Sequence, residues 1–341
     1  MTTTDLSGQA STAASHADCA GPVGPVGPVG GGPEREPNLS GPGPAGLGGS
    51  PKGGPRDFKG LTLTGETFVG QDLKGVSFRE SGLIDCHFRE CLLDGADFSG
   101  ARLEGASFNG CRLLGLTFAG GSLAETHFAD SPLLGGDFKG AFFSKAAFSA
   151  GSLWRGVDLS QAIFQDFTAE NLVLDDCDLA GAVFLLAKLN GLIVKGSRLN
   201  NAVFERLALP GLATFQSDFS QASFAGGDLA GAKLAGAVLA EAKFLRASLK
   251  GADLSGALAQ KALFNEADLS YANLRLIKAE MADFSRASLV EAALDHGDFR
   301  LANFHRTRGL PWDHPSADFS GARPTNPKLA RAEEFVPKLL D

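Results

Sequence analysis

The residues best suited to chemistry lie near the C-terminal end of the chain. His296, His305 and His314 follow one another at intervals of nine, and Asp295 and Asp313 each stand beside one of them. Histidine and carboxylate groups together can hold a metal ion or transfer a proton. Metal motifs, however, place paired ligands only a few residues apart, and an interval of nine matches none of them. We therefore expect solvated surface histidines here, with no metal site.

Other catalytic arrangements are also missing from the 341 residues. The sequence has neither a G-x-S-x-G nucleophile motif nor a phosphate-binding loop of the Walker type. His87 and His127 each precede a phenylalanine, with no nucleophile in a recognisable pattern beside them. The sequence predicts a protein that is not an enzyme and that has no cofactor.

Any site would have to be positioned by elements that follow a five-residue period of large apolar residues. Every fifth residue from Phe58 to Leu153 is Phe or Leu, and 25 of the 30 such positions from Leu159 to Phe304 are Phe or Leu. Five residues of α-helix turn the chain by about 500°, which would leave no buried face. In a strand, an odd period puts successive large residues on opposite faces. The chain must therefore bend once per repeat, and we call every fifth residue a core position.

A second, longer period indicates four repeats in each coil. Coils of a β-type solenoid stack at roughly 4.8 Å, so side chains at every fourth core position would form columns in the core. We predict an all-β solenoid of about twelve coils. One column consists of eight phenylalanines that recur at every fourth core position without a miss: Phe164, Phe184, Phe204, Phe224, Phe244, Phe264, Phe284 and Phe304.

The residue two positions before each core position is usually small, and we expect it to face inward as well. Three small core positions have a large residue in this place, as a close-packed interior of constant volume requires. These pairs are Ala169 with Phe167, Thr214 with Leu212, and Ala279 with Ile277. Ala257 with Ala259 has no such compensation.

Four of the five cysteines occupy the same small inward position. Cys86, Cys91, Cys111 and Cys177 stand two residues before a core position, and none belongs to a C-x-x-C motif. We interpret them as small apolar core residues, not as disulfide or metal ligands. This usage fits a reducing compartment, and residues 1–10 have no apolar core typical of a secretion signal. We therefore expect a cytoplasmic protein.

Individual repeats resemble the A-(D/N)-L-x-x motif of the pentapeptide-repeat family. The clearest copies are Ala96-Asp97-Phe98-Ser99-Gly100, Gly251-Ala252-Asp253-Leu254-Ser255 and Glu266-Ala267-Asp268-Leu269-Ser270. The resemblance covers about three quarters of the chain. It implies a right-handed quadrilateral β-helix with four repeats per coil, in agreement with the longer period.

The repeats divide the chain into three segments. Residues 1–54 are rich in Gly, Pro, Ser and Thr, and we predict a disordered tail. Residues 55–309 form the β-helix. Residues 310–341 form a C-terminal cap, in which Asn326 and Pro327 favour the start of a short helix over residues 328–335. In some members of the family the C-terminal end makes a dimer, so a homodimer through this end is the alternative role of the cap.

Two tryptophans are candidates for contact with a partner. Leu153 and Leu159 stand one position further apart than the five-residue period allows, so the period slips by one near 154–158. We expect the extra residue to form a bulge that exposes Trp154. Trp312 lies in the cap, beyond the regular repeats.

Charge limits the choice of partner. The chain carries a formal net charge of −8, which argues against direct binding of nucleic acid or of an anionic membrane. No apolar run approaches the length of a transmembrane helix. Between residues 55 and 309 there are 30 acidic and 25 basic residues. Duplex DNA carries one negative charge per roughly 1.7 Å, and the excess of acidic over basic residues in this segment is far too small to match that density.

These features favour a non-enzymatic scaffold that binds an unidentified protein on a flat outer face. The resemblance implies two alternatives. Some family members mimic DNA and bind DNA gyrase, a role that the charge balance disfavours here. Similar arrays also occur as accessory or cargo proteins of bacterial type VI secretion, and a Gly/Pro-rich leader is compatible with that role.

Overall fold

The computed structural model describes residues 57–309 and 314–334, and these form a four-sided parallel β-solenoid followed by one short helix. The predicted tail over residues 1–54 and the predicted contact residue Trp312 lie outside the described residues. Of the residues described, no helix has both the length and the apolar character needed to cross a membrane.

Strands of two or three residues mark the straight part of many repeats. In chain order they are β1 (Thr62–Thr64), β2 (Thr67–Val69), β3 (Gly82–Ile84), β4 (His87–Arg89), β5 (Ser107–Asn109), β6 (Leu113–Leu114), β7 (His127–Ala129), β8 (Leu133–Leu134), β9 (Phe142–Ser144), β10 (Ala147–Phe148), β11 (Leu153–Arg155), β12 (Ile163–Gln165), β13 (Val173–Asp175), β14 (Val183–Leu185), β15 (Ile193–Lys195) and β16 (Ala213–Phe215). After β16 the repeats are joined by isolated parallel bridges.

The core positions form four columns, one for each side of the coil. We name the sides by their first and last core residues: side 1 from Phe58 to Phe319, side 2 from Leu63 to Phe304, side 3 from Phe68 to Leu289, and side 4 from Leu73 to Leu294. Side 2 carries the sheets β1-β3 and β9-β12-β14, side 3 the sheet β2-β4-β5-β7-β10, and side 4 the sheet β6-β8-β11-β13-β15-β16. Side 1 is joined by isolated bridges alone.

The coils stack in register, and each repeat pairs with the repeat four places further along the chain. On side 1, thirteen successive parallel bridges lead from Asp57 to Asp318, so thirteen coil-to-coil steps are made where about twelve coils are predicted. Many corners are closed by a turn within the coil, as where Ala101 N donates to the carbonyl of Phe98 (2.9 Å). Gly100 lies in this corner with φ +64, a left-handed conformation that glycine adopts without cost.

The predicted ladder of eight phenylalanines is confirmed. All eight are buried, and their successive rings are stacked with centroids 4.4–5.2 Å apart. This spacing matches the separation of neighbouring strands, so ring stacking and backbone pairing reinforce each other. In the N-terminal half, the phenylalanines of sides 1 and 3 meet edge to face across the core, as do Phe78 and Phe88 at 6.0 Å.

The predicted position of the inserted residue is wrong by one repeat. Phe148 still pairs with Phe128 at the regular interval, whereas Trp154 pairs with Leu133, one position beyond that interval. The extra residue therefore lies between Phe148 and Trp154. There the corner is closed by Ser152, whose N–H (3.2 Å) and hydroxyl (2.6 Å) both donate to the carbonyl of Ser149.

The predicted exposure of Trp154 is also wrong, because Trp154, and not Leu153, occupies the core position. Trp154 is fully buried, and its ring lies 4.8 Å from Phe148 and 5.9 Å from Phe167. The small Ala169 at the next side 3 core position leaves room for this group of rings. Burial of the large indole favours this register although its Nε1 has no hydrogen-bond partner, a cost of about 1–3 kcal/mol.

The solenoid extends beyond the predicted boundary at residue 309. Phe319 stacks on Phe299 with centroids 5.3 Å apart, and the bridges Asp298↔Asp318 and Asn303↔Arg323 continue the ladder. The helix α1 (Pro327–Glu333) follows, and it ends before the predicted C-terminal bound at residue 335. Its N-cap is Asn326, whose side chain accepts hydrogen bonds from the N–H groups of Lys328 (3.0 Å) and Leu329 (3.2 Å).

Candidate interaction surface

The histidines named in the sequence analysis do not assemble into a metal or catalytic site. His314 pairs with Asp295 at 3.7 Å, and His305 faces Glu333 of α1 at 3.4 Å. Within residues 57–309 and 314–334, no group of three or more His, Cys, Asp or Glu side chains could hold a metal ion. Candidate sites must therefore be sought on the outer surface.

The four predicted inward cysteines are buried and free. Cys86 donates its thiol to the carbonyl of Leu63, and Cys177 donates to that of Trp154 (3.3 Å). Burial raises the pKa of both thiols. Cys86 and Cys177 are therefore core residues whose thiols are held in the protonated form.

The outward residues of side 2 form an apolar patch in the middle of the solenoid. It consists of Phe142, Ile163, Val183, Leu185, Leu186 and Val203. Parallel pairing brings Phe142, Ile163 and Val183 side by side in β9, β12 and β14, and a bridge adds Val203. Ile163, Leu185 and Leu186 are 39, 46 and 72% exposed. Contiguous apolar residues exposed on a flat sheet are characteristic of a protein interface.

A shallow cleft of about 690 Å³ borders this apolar patch at the corner between sides 2 and 3. Leu185 and Leu186 line it together with Lys188, Glu205 and Arg206. Leu186 has φ +55, a strained conformation for leucine at a corner where many other repeats have glycine. Leu186 is therefore an exposed leucine at a position where backbone geometry favours glycine, as Leu276 and Leu301 are in later coils.

The apolar patch is not among the sequence-based predictions, although its signal is present in the sequence. Its members Phe142, Ile163, Val183 and Val203 each precede a side 2 core position and recur once in every coil. Side 4 has a similar row of Val173 and Ile193 in β13 and β15, because β-branched residues favour strands. On side 2 the row has four members and is flanked by two adjacent exposed leucines, whereas on side 4 it is flanked by the exposed Phe215 of β16.

A second cleft, also of about 690 Å³, lies on side 2 where α1 folds back against the solenoid. Arg286, His305 and Arg323 line its solenoid wall, and Leu329 and Glu333 line its helix wall. One carboxylate oxygen of Glu333 contacts Arg286 (2.8 Å), Arg306 (3.1 Å) and His305 (3.4 Å). Hydrogen bonds from Arg286 and then Arg306 lower the pKa of Glu333 to about 2.

His305 is oriented for this contact by the backbone. Its ring is buried, and its Nδ1 accepts a hydrogen bond from Asn326 N at 3.1 Å. Because Nδ1 accepts, the proton of the neutral ring lies on Nε2, which then donates to Glu333. Asn326, the residue before α1, thereby fixes which ring nitrogen of His305 donates to the carboxylate of Glu333.

Aspartates occupy eight of the fourteen positions that precede the side 1 core residues, and the other six are Ser77, Thr117, Arg198, Val238, Leu258 and Lys278. The aspartate row consists of Asp57, Asp97, Asp137, Asp158, Asp178, Asp218, Asp298 and Asp318. Each accepts a hydrogen bond from the N–H two residues further on, as Asp97 does from Ser99 (2.9 Å). The row is interrupted by Arg198, which pairs with Asp178 at 2.6 Å, and by Lys278.

Comparison with known families agrees with the repeat read from the sequence and seen in the fold. A model of the family described as Pentapeptide repeats matches eight copies, over residues 72–110, 217–256 and 247–276. The four-sided parallel coil of five-residue repeats covers the stretches between these matches.

This chain is a pentapeptide-repeat protein.

Solved structures of other pentapeptide-repeat proteins are similar to it at low identity. HetL, involved in the regulation of heterocyst differentiation in the cyanobacterium Nostoc, is 18% identical over 72% of this chain and 91% of its own, with a TM-score of 0.26. QnrB1, a plasmid-mediated fluoroquinolone resistance protein, is 16% identical over 82% of this chain and 98% of its own, with a TM-score of 0.19. A pentapeptide-repeat protein of the Arabidopsis thaliana thylakoid lumen is 23% identical over 32% of this chain and 71% of its own, with a TM-score of 0.13.

No curated protein matches the chain. The likeness to solved structures is too distant to transfer a function, so the function of this pentapeptide-repeat protein must be argued from its own surface.

Proposed function

We propose that this pentapeptide-repeat protein is a non-enzymatic binding scaffold that docks a partner protein on the apolar patch of side 2. The proposal rests on the exposed leucines Leu185 and Leu186 beside the aliphatic row of β12 and β14. The coil core is filled by stacked rings and aliphatic side chains, so binding falls to the outer faces.

Glycine substitution at the corner separates binding from folding. Leu186 and Leu276 are both exposed leucines with positive φ (55° and 58°), but Leu276 lies on side 4, away from the apolar patch. Leu186→Gly and Leu276→Gly should each leave stability unchanged or raise it by up to about 1 kcal/mol, because glycine relieves the left-handed strain. Only Leu186→Gly, strengthened by Leu185→Thr, should weaken partner binding.

The experiment is quantitative affinity capture from host lysate with the full chain as bait. Proteins retained by the wild type and by Leu276→Gly but lost by Leu185→Thr/Leu186→Gly are partners of the apolar patch. If the two variants retain the same proteins in the same amounts, docking at this surface is excluded.

DNA gyrase is the second candidate partner, and the aspartate row of side 1 is the observation that favours it. Interruption of the row by Arg198 and Lys278 weighs against it, as does the balance of 30 acidic to 25 basic residues. A supercoiling assay with purified gyrase tests this candidate. The scaffold proposal expects equal gyrase activity with and without the protein, whereas inhibition relieved by Asp137→Asn/Asp158→Asn/Asp178→Asn would favour the mimic. Type VI secretion, the third hypothesis, is favoured by nothing in the described residues.

A further inference from the structure

The cleft beneath α1 has a composition that the apolar patch does not share. Its solenoid wall and the adjoining corners carry four arginines, Arg246, Arg286, Arg306 and Arg323, against two acidic residues, Glu266 and Asp283. Without the helix, this wall has a formal charge of +2 (four minus two) in a protein whose net charge is −8. A basic strip on an acidic protein marks a place where negative charge is received.

The helix supplies that negative charge from within the chain. Glu333 pairs with Arg286 and Arg306, and Glu334 pairs with Arg306 at 2.7 Å. Arg306 also donates to the carbonyl of Ala330 (3.4 Å). Two cationic side chains and a histidine thus converge on one carboxylate oxygen, a geometry that recognises a carboxylate group.

Little else holds the helix in place. It has seven residues, none of them buried, and Leu329, which lines the cleft, is still 48% exposed. A helix of two turns is marginal by itself, and helices in proteins depend on the burial of an apolar face for most of their stability. Since this helix buries no residue, exposed ion pairs provide much of its attachment, and such pairs are individually weak.

We propose that the cleft is a binding site for an acidic peptide segment of a partner protein, and that α1 occupies it as a built-in competitor. Glu333 and Glu334 take the places of two carboxylates of the incoming segment. The partner displaces the helix and pairs with Arg286, Arg306 and His305, while Arg323 provides a further cation. This site is separate from the apolar patch and does not depend on docking there.

A labelled oligoglutamate octapeptide tests the proposal by fluorescence anisotropy at low ionic strength. The full-length wild type should bind it weakly. Glu333→Gln/Glu334→Gln should bind it about tenfold more tightly, as expected if the helix occupies the cleft in about nine molecules of ten. Adding Arg286→Gln/Arg306→Gln to this variant should abolish the gain. Circular dichroism should show the same strand signal for all variants, because every altered residue is outside the core.

Arg155→Gln/Arg198→Gln provides the matched control, since these arginines form ion pairs of the same kind on sides 4 and 1. Placed in the Glu333→Gln/Glu334→Gln background, this pair of changes should keep the tight binding. The proposal is overturned if removing the glutamates brings no gain, or if the control pair abolishes the gain equally. It is also overturned if a single-stranded oligonucleotide of equal charge binds the vacated cleft and oligoglutamate does not, because the site would then recognise phosphate.

Discussion

Phe224 shows how a single residue is held by neighbours from other coils. Its ring stacks between Phe204 (5.1 Å) and Phe244 (5.2 Å), and it is 1% exposed. Further along the same coil Asp228 points outward, where it accepts a hydrogen bond from Ala230 N (3.1 Å). The five-residue period predicts this contrast between inside and outside correctly, because it follows directly from the one bend per repeat.

Phe224→Asp should therefore destabilise the solenoid strongly, since a buried carboxylate without a partner costs several kcal/mol. Asp228→Ala should change the free energy of unfolding by about 1 kcal/mol or less, because it removes one exposed turn hydrogen bond. Thermal unfolding followed by circular dichroism measures both. Equal shifts in melting temperature for the two variants would contradict the assignment of inward and outward positions.

The five-residue period does not determine which residues occupy the outward positions. The period constrains what fills the core, whereas Leu185 or Arg286 could be replaced by many residues without changing the coil. Their significance appears only when the stacking of successive coils brings them together, as Arg286 and Arg306 are around Glu333.

At the scale of elements, the inserted residue shows where reading a period fails. Leu153 and Trp154 are both apolar, so counting in fives accepts Leu153 as the core position. In the structure Trp154 occupies the core position instead, because Phe148, Phe167 and the small Ala169 leave a space that an indole fills and an isobutyl group would not. The register is therefore determined by the volume available in the core and not by whether a residue is apolar.

Fluorescence of Trp154 tests this register. In a Trp312→Phe variant, Trp154 is the sole tryptophan, and its emission should be blue-shifted and protected from acrylamide because the ring is fully buried. Denaturation should shift the emission to the red and restore quenching. A native spectrum like that of the denatured chain would place Trp154 outside the core and return the insertion to the position that the sequence predicts.

The start of the C-terminal helix α1 agrees well with the sequence-based prediction, but its contact with the side 2 arginines could not be predicted. Asn326 and Pro327 are local signals, so the N-terminus of α1 could be predicted from sequence. Its approach to Arg286, more than one coil earlier in the chain, depends on charges that no local pattern connects.

At the scale of the whole molecule, the repeats continue beyond residue 309, where the sequence predicts their end. Counting in fives reaches Gly309 and His314, and neither is apolar, which hides the period in the sequence; Phe319 returns to it and stacks on Phe299. The bridges at Arg308 and at Asp318, on either side of this stretch, keep the same interval of 20 residues to the preceding coil.

Acid should destabilise the molecule as a whole. Asp268, Asp298 and Asp318 accept hydrogen bonds chiefly from Ser270, Arg300 and Ser320, and the pKa of each carboxyl is lowered. A pKa lowered in the folded state stabilises the fold above the unfolded-state value of 3.8, and this stabilisation is lost as the pH falls through the folded-state value. The melting temperature should therefore be nearly constant between about pH 7 and 5 and should fall below about pH 4.

Asp268→Asn/Asp318→Asn provides the control at constant ionic strength. The amide oxygen still accepts from the serine N–H groups but does not titrate, so the fall in melting temperature should be smaller than in the wild type. An equal fall would show that these carboxylates do not carry the acid sensitivity.

The constant step between coils has a consequence for how such a gene can change. A coil of four repeats corresponds to about 60 base pairs, and each coil contacts its neighbours through the same backbone pattern. Loss or duplication of whole blocks would leave every remaining column in phase, whereas a change that is not a multiple of this length shifts the phase and must be accommodated at a corner. The widened spacing between Leu133 and Trp154 is one such extra residue, accommodated by a serine turn on the outside and an indole on the inside.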